Sequence, residues 1–114
     1  MSTRRVVVFR NRLRPDVGAE YGATGDAMYA IAEKMPGFLS SKDFVAPDGE
    51  RLTLVEFESD ETLAGWRDQP DHQRAQASGR ERWYSEYSLQ ICDVIRSSRF
   101  DAATGTWERS GRED

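Results

Sequence analysis

The pattern of apolar and polar positions predicts two strands that have apolar side chains on both faces. Residues 6–9 are four consecutive apolar residues, typical of a strand that is covered on both sides, and alternation follows up to Leu13. This alternation places Asn11 on the face of Phe9, so a polar amide points where apolar side chains point. Residues 52–58 also place apolar side chains on both faces of the strand. Either both faces are buried or the strand contains a β-bulge.

A helix is predicted between the first strand and the next one. Asp16 is its expected N-terminal cap, and the sequence Met35-Pro36-Gly37 ends it because proline cannot continue the hydrogen-bond ladder. Glycines at positions 18, 22 and 25 weaken the helix, so we expect its first half to be irregular or mobile. The apolar stripe expected to face the core consists of Val17, Tyr21, Met28, Ile31 and Met35.

Two more strands follow this first helix. Residues 38–46 predict the second strand, and the turn Pro47-Asp48-Gly49-Glu50 joins it to residues 52–58. Strands joined by so short a link should pair antiparallel. Residues 86–96 alternate again and predict a fourth strand, in which Cys92 is expected to be a small buried apolar side chain.

A short helix and a longer one lie between the third and fourth strands. Ser59 or Asp60 caps the short helix, which places Leu63 and Trp66 three residues apart on one face. The longer helix, over residues 70–84, starts at Pro70, whose missing N–H costs nothing at a first helical position. The face of this helix expected to point inward carries His72, Ala75 or Gln76, Gly79 and Trp83.

The order of these elements predicts an α+β fold. The arrangement βαββαβ gives a ferredoxin-like unit with one four-stranded antiparallel sheet and helices on one of its faces. Because two strands require burial on both sides, we expect a second copy of the chain to pack its sheet against the bare face as a symmetric dimer, and a monomer with an unusually apolar sheet face is the alternative. We assign residues 1–96 to this domain and residues 97–114 to a C-terminal extension that docks through Phe100 and Trp107 or stays loose.

Composition narrows the classes of function. The formal net charge is −4, and the N-terminal arginines alternate with apolar residues, so we expect no nucleic-acid partner. No stretch approaches the ~20 apolar residues that cross a bilayer, and no signal-peptide core is visible, so we expect no membrane partner. A single cysteine excludes an intramolecular disulfide, and a reducing cytoplasm is the expected location. No metal-ligand spacing and no glycine-rich phosphate loop is found, so we expect neither a metal nor a nucleotide cofactor.

Candidate chemistry centres on three residues. His72 is suited to general-base catalysis because its ordinary pKa lies near neutrality, whereas a partly exposed structural role is the alternative. Asn11 can donate its amide to a substrate carbonyl or a developing enolate, or it pairs with a loop. Trp66 can stack on a flat ligand, or it only packs the short helix onto the sheet. The further residues expected to contact a substrate are Phe9, Gln76 and Trp83.

Four segments of the sequence carry a family resemblance. They are VVVFRNRLRP, MPGFLSSKDF, LTLVEFESDETLAGWRDQPDHQRAQ and ERWYSEYSLQICDV, within residues 4–96. Together they resemble the antibiotic biosynthesis monooxygenase (ABM) domain family, whose members are small dimeric α+β barrels. The resemblance implies oxygenation of a flat aromatic or polycyclic molecule without a bound cofactor, with His72 as base and Asn11 stabilising the anion.

The resemblance leaves two other functions open. The haem-degrading branch is similar in having Asn-Arg-Leu on the first strand, which matches residues 11–13, and a tryptophan on the short helix, which matches Trp66. That branch has a histidine ten residues after the tryptophan, where this chain has Gln76, and His72 lies one helical turn earlier. The other alternative is a dimeric protein that binds a small aromatic molecule without catalysis.

Overall fold

A four-stranded antiparallel sheet forms the centre of the protein. The computed structural model describes residues 4–111. The strands are β1 (Arg5–Leu13), β2 (Phe38–Val45), β3 (Arg51–Phe57) and β4 (Tyr84–Asp93), in the spatial order β2-β3-β1-β4. All neighbouring pairs are antiparallel, as the sequence predicted. The short β2–β3 turn contains Gly49 at φ 91°, a left-handed conformation that glycine adopts without strain.

Three helices and one helical turn cover a single face of the sheet. They are α1 (Ala19–Ala32), α2 (Asp60–Arg67), α3 (Pro70–Ser78) and a π-helical turn (Gly79–Trp83). Ser59 caps α2 through a reciprocal capping box with Thr62. Pro70 occupies the first position of α3, and the Gln69 side chain accepts a hydrogen bond from the His72 amide at 2.8 Å. Ferredoxin-like α+β architecture is therefore confirmed.

The strand register decides which side chains face the helices. Val7 lies opposite Val55 on β3 and Ile91 on β4, and two residues further along β1, Phe9 lies opposite Thr53 and Leu89. Directly paired residues share one face of a sheet, so these rows all point toward the helices. The buried core lies at the Val7 end and consists of Val7, Ala32, Phe57, Leu63 and Trp66.

No helix within residues 4–111 covers the opposite face of the sheet. The alternate residues of β1 and β3 lie there, including Val8 and Leu54, and ion pairs line its edges, such as Arg10 with Glu50 at 2.8 Å. Cys92 also lies on this face and is exposed, so the prediction of a buried cysteine was wrong. Cys92 is exposed because it pairs with Val6, and this pair lies on the uncovered face of the sheet. The two-copy barrel remains a prediction.

Several boundaries differ from those that the sequence predicted. Helix α1 begins after Gly18 rather than at Asp16, and it then runs without interruption despite its glycines, so the expected irregular first half was wrong. The longer helix ends as α3 at Ser78, and the chain changes to a π-helical turn before β4. None of the helices within residues 4–111 is long and apolar enough to span a membrane.

The C-terminal extension forms an ordered hairpin. Strands β5 (Arg96–Asp101) and β6 (Thr106–Gly111) pair antiparallel, with Gly105 at φ 68° in the turn. Phe100 and Trp107 lie opposite each other and are 65% and 60% exposed, so neither docks on the sheet of its own chain. The proposed division at residues 96 and 97 remains a prediction.

Candidate functional site

A large cavity lies between the sheet and the helices. Its volume is about 730 Å³. Its walls are rich in aromatic side chains, which come from the sheet, from α1 and α2, and from the π-helical turn. These aromatic residues are Phe9, Tyr21, Tyr29, Trp66, Trp83, Tyr84 and Tyr87. A cavity of this size, lined by rings with a few polar groups, is typical of a site for a flat small molecule.

His72 and Trp66 form a stacked pair in the cavity wall. Their ring centroids lie 3.9 Å apart with an interplanar angle of 13°. Nδ1 of His72 lies 3.0 Å from the carbonyl oxygen of Trp66, and since a carbonyl only accepts, Nδ1 carries the proton and donates it. In the neutral ring, Nε2 is then the nitrogen that can accept a proton. The Trp66 carbonyl, at the end of α2, therefore fixes the tautomer of His72.

The surroundings of His72 keep its imidazole neutral. Burial lowers the pKa of His72 from its ordinary value of 6.5, and the hydrogen bond to the Trp66 carbonyl opposes this shift to a smaller extent. The first turn of α3 acts in the same direction as burial, because the helix dipole disfavours a cation there. His72 is therefore in the form that a general base requires near pH 7.

Asn11 is a buried amide without a hydrogen-bond partner. Its side chain is 2% exposed, and neither its amide nitrogen nor its oxygen finds a partner within the described chain. Buried polar atoms are nearly always paired, so this residue is exceptional. Arg51 and Tyr87, its direct neighbours on β3 and β4, line the cavity, whereas Asn11 lies beneath them rather than at the cavity surface.

The two predicted catalytic residues lie toward different ends of the cavity. Val7 packs in the same core cluster as Trp66, the partner of His72. Asn11 follows Val7 by four positions on β1, which corresponds to ~13 Å along a strand. His72 and Asn11 make no hydrogen bond to each other. A single small group on a ligand therefore does not contact both, although an extended ring system can reach from one end to the other.

Tyrosines crowd the Asn11 end of the cavity. The Tyr84 hydroxyl donates to that of Tyr21 at 3.5 Å, and burial together with this contact raises the pKa of Tyr84. The Tyr84 ring also packs edge-on against Phe9 with centroids 5.4 Å apart. A Cβ at Gly79 would lie 2.5 Å from the Tyr84 ring, so glycine is required for this close approach.

Arg14 holds the π-helical turn that carries Trp83. Its guanidinium donates to the backbone carbonyls of residues 80, 81 and 84 at 2.8–2.9 Å. These carbonyls lie where helical hydrogen bonding gives way to β4, and they would otherwise lack donors. This arginine therefore supports the cavity wall, and π-helical turns of this kind occur frequently at functional sites.

The structure places five of the six predicted site residues in one cavity. Its lining includes Phe9, Trp66, His72, Gln76 and Trp83, and Asn11 lies just below the lining. Sequence reasoning missed Tyr21 and Arg51. Tyr21 belonged to an apolar stripe that was interpreted as core, and Arg51 preceded the predicted third strand. The alternation of side chains along β3 places Arg51 on the cavity face, opposite Asn11, and this alternation could have identified it.

The described part of the chain contains no group of three or more His, Cys, Asp or Glu side chains that could hold a metal ion. Acidic residues do line the cavity, among them Asp43, whose carboxylate accepts a hydrogen bond from Thr53 at 2.6 Å. They are spread around the cavity rather than gathered at one point.

Comparisons with known proteins agree with this fold. Residues 4–78 match the antibiotic biosynthesis monooxygenase family. The uncharacterized protein YqjZ of Bacillus subtilis is 32% identical over 84 residues, which are 74% of each chain. Rv0793 from Mycobacterium tuberculosis is similar in structure with a TM-score of 0.70 at 22% identity, over 79% of this chain and 93% of that one.

A further structural relative has a described activity. A mutant form of SnoaB, a cofactor-independent oxygenase from Streptomyces nogalater, is similar with a TM-score of 0.70 at 13% identity. The similarity covers 82% of this chain and 94% of SnoaB, and at this identity it concerns the fold. Because the family match spans well over half of the sequence, the chain belongs to the antibiotic biosynthesis monooxygenase family.

Proposed function

We propose that this protein is a cofactor-independent monooxygenase that acts on a flat aromatic or polycyclic small molecule in the cavity. The observation that carries the proposal is the His72–Trp66 pair, in which a neutral imidazole has its Nδ1 proton held by a backbone carbonyl. Nε2 is left as a base beside a cavity lined by rings. The family match and the description of SnoaB support the reaction class.

The reaction begins with removal of a proton from an activated ring carbon. His72 Nε2 takes a proton from a CH₂ group flanked by aromatic rings, and the pair of electrons left behind delocalises into the ring system as a phenolate or enolate. This electron-rich carbanion reduces O₂ and combines with it to give a peroxide anion, which takes the proton back from the imidazolium and becomes a hydroperoxide. Loss of water leaves a carbonyl, so one CH₂ and one O₂ give one C=O and one H₂O.

The remaining side chains bind the ring system. Trp83 and Phe9 provide apolar walls, and the Gln76 amide offers a hydrogen bond to an oxygen of the ligand. One face of the Trp66 ring is covered by His72, so the main role of Trp66 is to orient the imidazole. Asn11 stabilises the anion from below the lining where the ring system reaches the far end.

Haem fits these residues poorly. The position where the resemblance places an axial histidine holds Gln76, and an amide is a weak ligand for iron. His72, the only histidine of the chain, lies four residues before that position. The proposed reaction therefore uses no haem.

Oxygen uptake tests the proposal. Anthrone-type and quinol compounds are supplied to the purified, tag-free protein, and we expect one O₂ consumed per substrate with no change on addition of flavin, hemin or a metal chelator. Uptake that depends on one of these additions would refute cofactor independence. Quenching of tryptophan fluorescence by the same compounds without any oxygen uptake would instead identify a binding protein.

A substitution at Asn11 is expected to change stability and activity in different directions. Asn11→Leu keeps the branching of the side chain and removes two buried polar atoms that have no partner within residues 4–111, so we expect the free energy of unfolding to stay unchanged or rise by about 1 kcal/mol. Turnover should fall because the amide dipole beneath the cavity lining no longer stabilises the anion. Denaturant unfolding and oxygen uptake measure the two quantities, and a clear loss of stability would mean that the amide is paired in solution.

We also propose that two copies pack their uncovered sheet faces together. The supporting observation is the apolar character of the uncovered face, where Val6, Val8, Leu52 and Leu54 remain half-buried within one chain. Light scattering on the purified protein measures the mass, for which twice 13.0 kDa is expected.

A further inference from the structure

We propose that the Arg51 end of the cavity binds an acidic group of the ligand, so that the substrate is an aromatic acid rather than a neutral ring compound. This inference deepens the proposed function, since it assumes that the cavity is the ligand site. It rests on the placement of charged and hydroxyl side chains at the end of the cavity that lies away from His72.

Arg51 is a half-buried cation without an anionic partner. Its side chain lines the cavity, and no carboxylate lies within ion-pair distance of it in the described chain. Its guanidinium carbon lies 5.7 Å from the ring centroid of Tyr21. By contrast, Arg10 and Arg12 on the opposite face are paired with Glu50 and Asp48.

The alternation of side chains between the two faces of the sheet explains why Arg51 has no carboxylate partner within residues 4–111. Glu50 precedes Arg51 in the chain, and its carboxylate is engaged by Arg10 at the edge of the uncovered face. Arg51 pairs across the sheet with Asn11 and therefore points toward the helices. Burying part of a guanidinium without an anion is unfavourable, and a bound carboxylate would compensate for that cost.

Neighbouring groups add hydrogen-bond donors at the same end. Arg80 also lines the cavity, donates to the Tyr87 hydroxyl at 3.5 Å and has no carboxylate partner within residues 4–111. The Tyr21 hydroxyl accepts from Tyr84, which leaves its own proton available for donation. Two guanidinium groups with hydroxyl donors between aromatic walls are well suited to a planar carboxylate.

One acidic residue limits this positive region. Asp43 lines the cavity on β2, but its carboxylate accepts from Thr53 and lies beyond ion-pair distance of Arg51. Asp43 is exposed, whereas Arg51 is half-buried, so water screens the aspartate more strongly. The charge of Arg51 thus remains available to a ligand, and Asp43 weakens the attraction from a distance.

The two ends of the cavity set the shape of the ligand. The acid-binding end lies ~13 Å along the strands from the Val7 row, near which Trp66 and His72 lie. A ligand that reaches both ends carries its acidic group on the ring farthest from the carbon that reacts. A fused three-ring acid approaches this length, whereas a single-ring acid does not.

Binding of a matched pair of probes tests the inference. Anthracene-2-carboxylate and the uncharged anthracene-2-carboxamide are titrated into the protein while their fluorescence is recorded. We expect the carboxylate to bind roughly 10–100-fold more tightly, as is typical for a charge-assisted pair. Arg51→Met should remove most of this difference, because only Arg80 then remains to attract the carboxylate, and it should weaken binding of the carboxamide far less. Asp43→Asn should strengthen binding of the carboxylate, because a like charge is removed.

Arg10→Met is the matched control, since this arginine lies on the opposite face of the same sheet. It should alter neither affinity. Equal binding of the two probes, or an equal loss for both in Arg51→Met, would overturn the inference. The assay needs no turnover, so acid-selective binding without oxygen uptake would refute the proposed reaction alone, and oxygen uptake without acid selectivity would refute this inference alone.

Discussion

Replacing His72 with alanine is expected to lower kcat for oxygen uptake by about 10²–10⁴-fold, the range typical of a general base. The substitution removes Nε2, which is the proton acceptor in the cavity, and leaves the aromatic walls in place. His72→Asn is the sharper variant, because its amide nitrogen can still donate to the Trp66 carbonyl while offering no base. Both variants should bind the aromatic ligand with an affinity near that of the wild type.

The pH dependence of the wild type follows from the direction of the His72 pKa shift. Burial lowers this pKa below 6.5, so the basic form persists to more acidic pH than in a free histidine. The acidic limb of the kcat/KM profile should therefore lie below pH 6.5. The unfolded chain binds the proton more readily than the folded one, so stability contributed by the neutral ring is present above pH 6.5 and is lost as pH falls below that value.

Turnover in His72→Ala within a factor of three of the wild type would show that another group removes the proton. Partial recovery of the alanine variant by added imidazole would support the assignment, because the small molecule can occupy the space that the substitution creates. The asparagine variant has no such space, so it should not recover. Recovery of both to the same extent would point to a solvent effect instead.

Trp66→Ala is expected to destabilise the protein by about 3–5 kcal/mol, the cost typical of removing a buried aromatic ring. Trp66 is 7% exposed and belongs to the core cluster with Val7 and Leu63. The change also removes the ring that covers His72, so water reaches the imidazole and its pKa should rise toward 6.5. The acidic limb of the rate profile should move to higher pH by a corresponding amount.

Phe57→Ala separates the two effects of the Trp66 substitution. Phe57 is 0% exposed and packs against Phe38 rather than His72. It should therefore lose similar stability without moving the pH profile of the molecules that remain folded. Denaturant unfolding and kcat/KM between pH 5 and 8 measure these quantities, and an unmoved profile in Trp66→Ala would mean that the indole does not shield the imidazole.

The fold could be predicted from the sequence because short local patterns identify its strands and turns. The apolar run of β1, the Pro-Asp-Gly turn before β3 and the cap at Ser59 each specify an element without reference to distant residues. The first helix was placed less well, since Asp16 is a good capping residue that the structure does not use as a cap. Whether Asp16 or Gly18 caps the helix depends on where Val17 and Tyr21 pack, and this is decided by tertiary contacts.

The candidate site was predictable in part for the same reason. Helical spacing put Trp66, His72 and Trp83 on inward faces, but no spacing reveals that Nδ1 of His72 reaches the carbonyl of Trp66. The role of Arg51 depends on the register of β3 against β1, which the sequence leaves undetermined. Cys92 was misplaced because burial on β4 depends on which face the helices cover.

The state of the His72 ring tests the central claim most directly. The chain has a single histidine, so nitrogen NMR of tag-free protein labelled with ¹⁵N at histidine gives one unambiguous pair of imidazole signals. We expect a neutral ring at pH 7 with the proton on Nδ1, and a titration midpoint below 6.5. A proton on Nε2, or a midpoint above 6.5, would contradict it.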